Sequence, residues 1–514
     1  MYPGTFAKSA PDRPAVIMGG TGEVVTYSQL DERSNQLAHL LRERGLGPAS
    51  VLAVCMENNA SYHVAHWAAR RSGMYLVPVN HHLTAAEVAY IVNDSGAQAL
   101  IASAATAELA AQLTTDLIPG VRTRLILDAT LPAWENLHEA TAGQPTSPIA
   151  DEMEGDLLQY SSGTTGRPKG IKRAFTERPI SLEADATTAF LRAIDFTEGG
   201  VFLSPAPLYH TAPIVWSSGV HRMGGTSIVM ERFDALKALE LIQHYHVTHS
   251  LMVPTMFVRM LKLPADERLS YDMSSLQTVV HAAAPCPVDI KRQMIEWWGP
   301  LISEFYSSSE VAGATFITAP DWLKHPGSVG RPMIGTPHIL DDDGHELGTG
   351  EVGQIWFSGG MPFEYHNDPD KTRQAWDEHG WATVGDIGYV DDEGYLYLTD
   401  RKSFMIISGG VNIYPQEAEN VLIEHPKVLD AAVFGVPNPD MGEEVKAVVQ
   451  PVDGADPSPE LAGELLAYCR SRLASYKCPR SLDFRAELPR SDSGKLYKRV
   501  LQQEYSEHAS PAPA

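Results

Sequence analysis

The chain has 514 residues, 44% of them hydrophobic and 20% charged, and a formal net charge of −24. That length accommodates more than one domain with an ample core. The acidic balance argues against a general nucleic-acid surface, yet leaves room for a small basic pocket around an anionic cofactor.

The N-terminal stretch "MYPGTFAKSAPDRP" lacks the basic, apolar and small-residue parts of a signal peptide. No apolar run is long enough to span a bilayer. Cys55, Cys286, Cys469 and Cys478 form no C-x-x-C pair and have no histidine at zinc spacing, which suits a reducing compartment and packing roles. The expected setting is the cytoplasm, with the sequons at Asn59 and Asn93 there by chance.

The first hundred residues alternate strand and helix patterns. "AVIM" and "EVVTY" around "GGTG" read as a hairpin. Thr26 and Gln29 have capping-box spacing. The helix that follows carries Leu30, Leu37, Leu40 and Leu41 on one face and stops at Gly45. Then come "VLAVCM" (strand), "YHVAHWAARR" (helix), "YLVPVN" (strand), "AAEVAYIVN" (helix) and "QALIAS" (strand). The alternation predicts an α/β fold with a largely parallel, helix-covered sheet. Residues 340–400, with "DDDG" and "DDEG" turns beside "QIWFSG" and "GYLYLTD", predict a β-rich section.

After about residue 403 the pattern changes. Pro415 opens a short helix, "AAVFGV" and "VKAVVQPV" read as strands, and Leu461, Leu465, Leu466, Cys469 and Leu473 form an apolar stripe. The expected organisation is a large N-terminal domain over 1–402 and a small, mobile α+β domain over 403–514, ending in a disordered tail near 509–514.

Residues 160–173, "YSSGTTGRPKGIKR", form a candidate phosphate cradle. Gly163 and Gly166 can adopt positive φ and expose backbone N–H groups, which form an anion-binding concavity. Ser161, Ser162, Thr164 and Thr165 add hydroxyl donors, and Pro168 stiffens the chain before Lys169. A surface loop has the same local pattern. A Walker A loop is excluded, because Pro168 and Gly170 stand where it needs glycine and Ser/Thr. "GTGEVG" at 348–353 fits G-x-G-x-x-G but follows an acidic turn and precedes a strand pattern, so it is no dinucleotide site. "DDDG" lacks the spacing of an EF-hand. Nucleophile-elbow and H-E-x-x-H motifs are absent from the sequence.

More informative is a set of segments in fixed order: the cradle, "PLYHTAP" at 207–213, "HAAAPCP" at 281–287, "EFYSSSE" at 304–310, "GWATVGDIG" at 380–388, "YLTDRKSFMIISGGVNIYP" at 397–415 and "LPRSDSGKLYKR" at 488–499. Together they resemble the acyl-adenylate-forming superfamily of acyl- and aryl-CoA synthetases, firefly luciferase and peptide-synthetase adenylation domains. The resemblance covers nearly the whole chain.

It implies an ATP- and Mg²⁺-dependent enzyme that converts a small-molecule carboxylic acid to acyl-AMP and then to a thioester of coenzyme A. By this resemblance the loop 161–169 holds the β- and γ-phosphates, with Lys169 as a point charge, and Glu310, after Ser309, is the magnesium-binding glutamate. Ala283, Ala284 and Pro285 form the backbone shelf for adenine, and Tyr306 stacks on the base. Asp386 accepts hydrogen bonds from the ribose hydroxyls, with Arg401 a second ribose contact. Lys495 is the catalytic lysine of the glycine-lysine segment, stabilising developing negative charge. Tyr209 and His210 form an aromatic gate near the carboxylate, and Gly409 and Gly410 line the pantetheine path.

The segment "PLYHTAP" lacks the aspartate with which peptide-synthetase domains commonly hold an amino-acid ammonium. That favours a carboxylic acid without an α-amino group; the expected substrate class is an apolar acid, fatty or bulky aryl/alicyclic. Leu251, Met252, Val253 and Phe257 fit an acyl pocket or ordinary core equally well. Two departures stand out: Ser307 replaces the family's usual glycine after the tyrosine, and Ser403 replaces its usual aspartate or lysine at the hinge. The rival readings are a stand-alone adenylation enzyme loading an acyl carrier protein, and a non-catalytic acyl- or nucleotide-binding protein. The sequence leaves the oligomeric state open.

Overall fold

The computed structural model describes residues 1–161, 168–181, 185–409, 411–490 and 496–509. They divide into two compact units. The first comprises Met1–Leu251, Ser270–Val279 and Pro362–Gln374; the second comprises Met252–Leu269, Val280–Met361 and the chain from Ala375 onward.

In the first unit the predicted alternation becomes a six-stranded sheet. Its order is Glu135–Asn136, Thr123–Leu127, Ala99–Ser103, Val51–Cys55, Tyr75–Pro78 and Asp156–Leu157, with every pairing parallel. Alternate residues of one strand enter different cores. Leu52 and Val54 pack with the helices Tyr27–Glu43 and Ala60–Arg71, whereas Val51, Ala53 and Cys55 pack with the helix Ala85–Asp94. Period-two burial on both faces is why these strands read as unbroken apolar runs. Cys55 is a free, buried thiol pushed up to about 12 by burial. The hairpin forms from Pro14–Met18 and Val24–Thr26. Its first strand continues in parallel pairings to Thr226–Val229, Val201–Ser204 and His249–Met252. Thr26 and Gln29 form the expected capping box, and Gly45 follows the helix end with φ +75°.

A small antiparallel sheet completes this unit. Gln159–Ser161 pairs with Lys169–Lys172, which pairs with Glu364–Tyr365. Ser161 and Lys169, read in the sequence as loop residues, are therefore strand residues facing each other in register.

In the second unit the β-rich section is antiparallel. Ile302–Ser307 pairs with Ala314–Ile317, then Ser328–Ile334, Leu396–Arg401, Asp386–Val390, Gly353–Ser358 and Thr336–Leu340 follow in order. Residues from Ile406 onward build a separate five-stranded sheet around the hairpin Val428–Asn438/Gly442–Pro451. Its core includes Leu422, Val433, Leu461, Leu465 and Cys469, and Leu473 packs partly buried against it. Pro415 occupies the first turn of the helix Pro415–Glu424, as the sequence requires. The final helix, Lys498–Ala509, takes in one residue of the expected tail; 510–514 lie outside the described residues.

Candidate active site

Within the second unit, three of the sequence-derived residues meet directly. Asp386 opens one strand and Arg401 closes its antiparallel neighbour, and the two are cross-strand partners. Arg401 Nε lies 3.0 Å from Asp386 Oδ1. The Tyr306 hydroxyl, arriving from the strand Ile302–Ser307, donates to Asp386 Oδ2 at 2.6 Å. Burial and then the Asp386 charge push the Tyr306 phenol well up, while Asp386 holds the Arg401 guanidinium above its ordinary value. The carboxylate is buried, whereas 39% of the Arg401 side chain remains exposed. The pair therefore has one side open to solvent.

Glu310 sits in the turn after the tyrosine strand, where Val311 has φ +54° and donates its N–H to Ser308 O. It is 8% exposed, and its charge acts on both Tyr306 and Arg401. Ser309 precedes it in the same turn. A buried carboxylate is a hard oxygen donor of the kind Mg²⁺ takes, alongside water and phosphate oxygens.

The segment after strand Thr278–His281 presents backbone. Ala283 is exposed and left-handed (φ +73°), Ala284 is half-buried and Pro285 is exposed. Behind it, Glu304 Oε2 lies 2.6 Å from Lys291 Nζ and 3.2 Å from His281 Nε2, all three side chains being buried. Sequence reasoning missed this cluster. Lys291 falls on the buried stripe of Ile290, Met294, Ile295 and Trp298 in its helix, and a charge on an apolar face was the available signal.

The two departures have clear places. The Ser307 hydroxyl donates to Gly313 O at 2.8 Å, so the side chain is tied to its own turn. Ser403 is exposed in the short helical turn Lys402–Phe404. The turn is held on one side by Lys402 N–H donating to Gly385 O and by Lys402 Nζ at 2.7 Å from Asp342. On the other side Gly409, with φ +58°, links Ile406–Ser408 to Val411–Ile413 and donates to Met441 O.

In the first unit, Lys169 Nζ lies 3.9 Å from Asp368 Oδ2. Burial and the neighbouring Lys371 pull its ammonium down from the ordinary lysine value, and Asp368 opposes them. Tyr209 is buried, with its ring 4.4 Å from that of His210, which occupies the N-cap position of the helix Thr211–Arg222. Gln159 Nε2 donates to Tyr209 O, linking this gate segment to the strand that leads into the cradle. Leu251, Met252, Val253 and Phe257 are all buried. Ser162, Gly163, Thr164, Thr165, Gly166, Gly410 and Lys495 lie outside the described residues. Among those described, Asp341, Asp343 and His345 group closely enough to hold a cation, but they are the exposed "DDDG" turn.

Comparison with known proteins places the chain among acyl-adenylate-forming enzymes. Residues 5–364 match the AMP-binding enzyme family and residues 417–495 its C-terminal domain. The chain belongs to the AMP-binding enzyme family, and is an AMP-forming acid–thiol ligase. It is 32% identical to the long-chain-fatty-acid–CoA ligase FadD13 of Mycobacterium tuberculosis, covering 97% of each chain. It is 33% identical to a feruloyl-CoA synthase of an Amycolatopsis species, covering 98% of each. The solved structure of ATP-bound MatB from Rhodopseudomonas palustris superposes with a TM-score of 0.82, at 27% identity over 99% of this chain and 100% of that one.

Proposed function

We propose that the protein joins an apolar carboxylic acid to coenzyme A in two steps, using ATP. In the first, an oxygen of the acid attacks the α-phosphorus, a new P–O bond forms, and pyrophosphate leaves. In the second, the thiolate of coenzyme A attacks the acyl carbon and AMP leaves. The observation that carries this reading is the Asp386–Arg401–Tyr306 cluster, a paired acid with one open side beside the buried Glu310. In it, Asp386 accepts from the ribose hydroxyls, Arg401 supplies a fixed donor, and Tyr306 orients the carboxylate. Glu310 is the chain's own ligand for Mg²⁺, which would offset phosphate charge. The exposed backbone of Ala283, Ala284 and Pro285 faces adenine. Lys169 with the segment 161–166 holds the outer phosphates, and Lys495 the reacting carboxylate. Gly409 and Gly410 admit pantetheine.

The domain boundary falls at 402/403, with Ser403 as the hinge between half-reactions. The acid is apolar: relatives named for long-chain fatty and for feruloyl substrates both support an acid without an ammonium group. A panel of fatty, aryl and alicyclic acids, with ATP and either CoA or a carrier protein, tests the reading by mass. Acid-dependent AMP together with acyl-CoA is expected. Thioester on the carrier alone would replace CoA as the acceptor, and no acid-dependent AMP from any acid would overturn the proposal.

A further inference from the structure

An irregular, mostly buried segment joins the strand Val201–Ser204 to the helix Thr211–Arg222 in the first unit. Pro205, Ala206, Leu208 and Tyr209 are buried, and the prolines at 205 and 207 bring no N–H. Buried backbone polar groups need partners, and here side chains from other elements supply them. Asn58 Nδ2 donates to Met230 O at 2.8 Å and to Ala206 O at 3.2 Å, while Asn58 Oδ1 accepts the Leu208 N–H at 2.8 Å. One residue further on, Gln159 Nε2 donates to Tyr209 O at 3.1 Å. Both amide side chains belong to buried residues.

Asn58 is itself held in place. It stands between the strand Val51–Cys55 and the helix Ala60–Arg71, in a run of three residues whose side chains have three destinations. Glu57 Oε2 accepts from Ser103 Oγ, and Asn59 caps the helix by accepting the Tyr62 N–H at 3.1 Å. Asn58 reaches Ala206 and Met230, which follow the parallel partners Val201–Ser204 and Thr226–Val229. The amide thus ties together the carboxyl ends of strands from two sheets, the end at which α/β proteins hold their ligands. Its orientation is unique, because two carbonyls require the NH₂ group and an N–H requires the oxygen. An ionised aspartate of the same shape has no donor for either carbonyl.

We infer that Asn58 and Gln159 are positioning residues for the carboxylic acid: the two amides fix the backbone of 206–209 and so set where the rings of Tyr209 and His210 stand. The role rests on the proposed reading of Tyr209 and His210 as the gate at the acid's carboxylate. Both amides act through the gate's backbone. Loosening them misplaces the acid, and a shift of about 1 Å is enough to spoil a reacting geometry. ATP, held by other residues, is spared.

The test measures KM for the acid and KM for ATP separately on the full-length enzyme, by acid-dependent pyrophosphate release, with thermal unfolding recorded alongside. The acid is the member of the fatty, aryl and alicyclic panel that yields most acyl-CoA. Asn58→Asp keeps the shape and removes both donors; it is expected to raise KM for the acid roughly tenfold, the scale of buried carbonyls left unpaired. Gln159→Met removes one donor at similar volume and is expected to raise it roughly threefold. It carries the test alone if Asn58→Asp does not fold. KM for ATP is expected to stay within about twofold of the parent in both. Equal rises in the two KM values, or a lowered unfolding temperature with both KM values unmoved, would make the amides purely structural and overturn the inference. If His210→Ala raises KM for the acid while Asn58→Asp and Gln159→Met leave it alone, only this inference fails. If His210→Ala is itself silent, the gate reading fails, and this inference with it.

Discussion

Glu304 and Asp386 are both buried carboxylates held by a cation and a ring, and they end in opposite conditions. Around Glu304 the ring is closed: Lys291 is fully buried, its ammonium 4.7 Å from the centroid of Trp322, and His281 is buried as well. Around Asp386 it is open, since much of Arg401 meets solvent. A closed charge cluster can serve only its own fold; an open one can exchange a partner for a ligand. The two are also linked. Glu304 and Tyr306 are two apart on one strand and so project to the same face. The closed cluster fixes the strand that delivers Tyr306 to the open one.

The largest expected effect breaks the closed side. Lys291→Met leaves Glu304 without its buried cation and should cost about 3–5 kcal/mol in denaturant unfolding. The double variant Lys291→Met/Glu304→Gln should recover much of that, because no bare charge remains. Equal losses for single and double variants would show that packing against Trp322, not charge, holds this region.

Acid should test the closed cluster next. Burial pushes the Glu304 carboxyl up, yet His281 and Lys291 together hold it down to about 2, below its ordinary value. A depressed folded pKa means stability present above the unfolded value and lost as pH falls from about 4.5 toward 2, up to roughly 3 kcal/mol. Burial also lowers His281. The unfolded chain then binds that proton first, so stability begins to fall below about pH 6.5. Glu304→Gln should flatten the lower limb of a stability–pH curve.

On the open side, Asp386→Ala should lower kcat/KM for ATP about 10- to 100-fold, the range of lost hydrogen bonds to a charged group, with the fold retained. Substituting 2′-deoxy-ATP should penalise the parent more than the variant. Equal penalties would remove the ribose role. Smallest of all, Ser307→Gly forfeits one hydrogen bond to Gly313, about 1 kcal/mol of stability, with KM for ATP unmoved. A change in acid preference without that loss would place Ser307 against the acyl group.

Much of the first unit was legible because its signals are local. Strand and helix periods, the Thr26–Gln29 box and the Gly45 stop all act within a few residues. Asp386 and Arg401 were legible through motif order, although nothing in either motif says they are cross-strand partners. Contacts made by distant segments were not legible. Glu364–Tyr365 docks on the strand of Lys169 from almost two hundred residues away, and no local pattern announces it. Lys291 carries no motif, and its partner Glu304 and the ring of Trp322 come from other elements. The pairing of Ser161 with Lys169 was hidden by glycine and hydroxyl content that speaks for a loop.

The register between Asp386–Val390 and Leu396–Arg401 has a consequence for sequence change. The two strands are joined by an exposed turn at 391–394, closed by Asp391 N–H donating to Tyr395 O and Gly394 N–H donating to Asp391 O. Surface turns usually tolerate insertions and deletions. Here the ladder already carries one register shift, between Ile387 and Gly388, and a change at the turn that slipped the pairing by one further step would turn Arg401 to the opposite face from Asp386. Gly388 tightens the constraint, because a Cβ there would sit 2.2 Å from Tyr397 O. The turn is therefore constrained in identity as well as in length: the Asp391 carboxylate accepts from the Glu393 and Tyr395 N–H groups, and Gly394 has φ +82°.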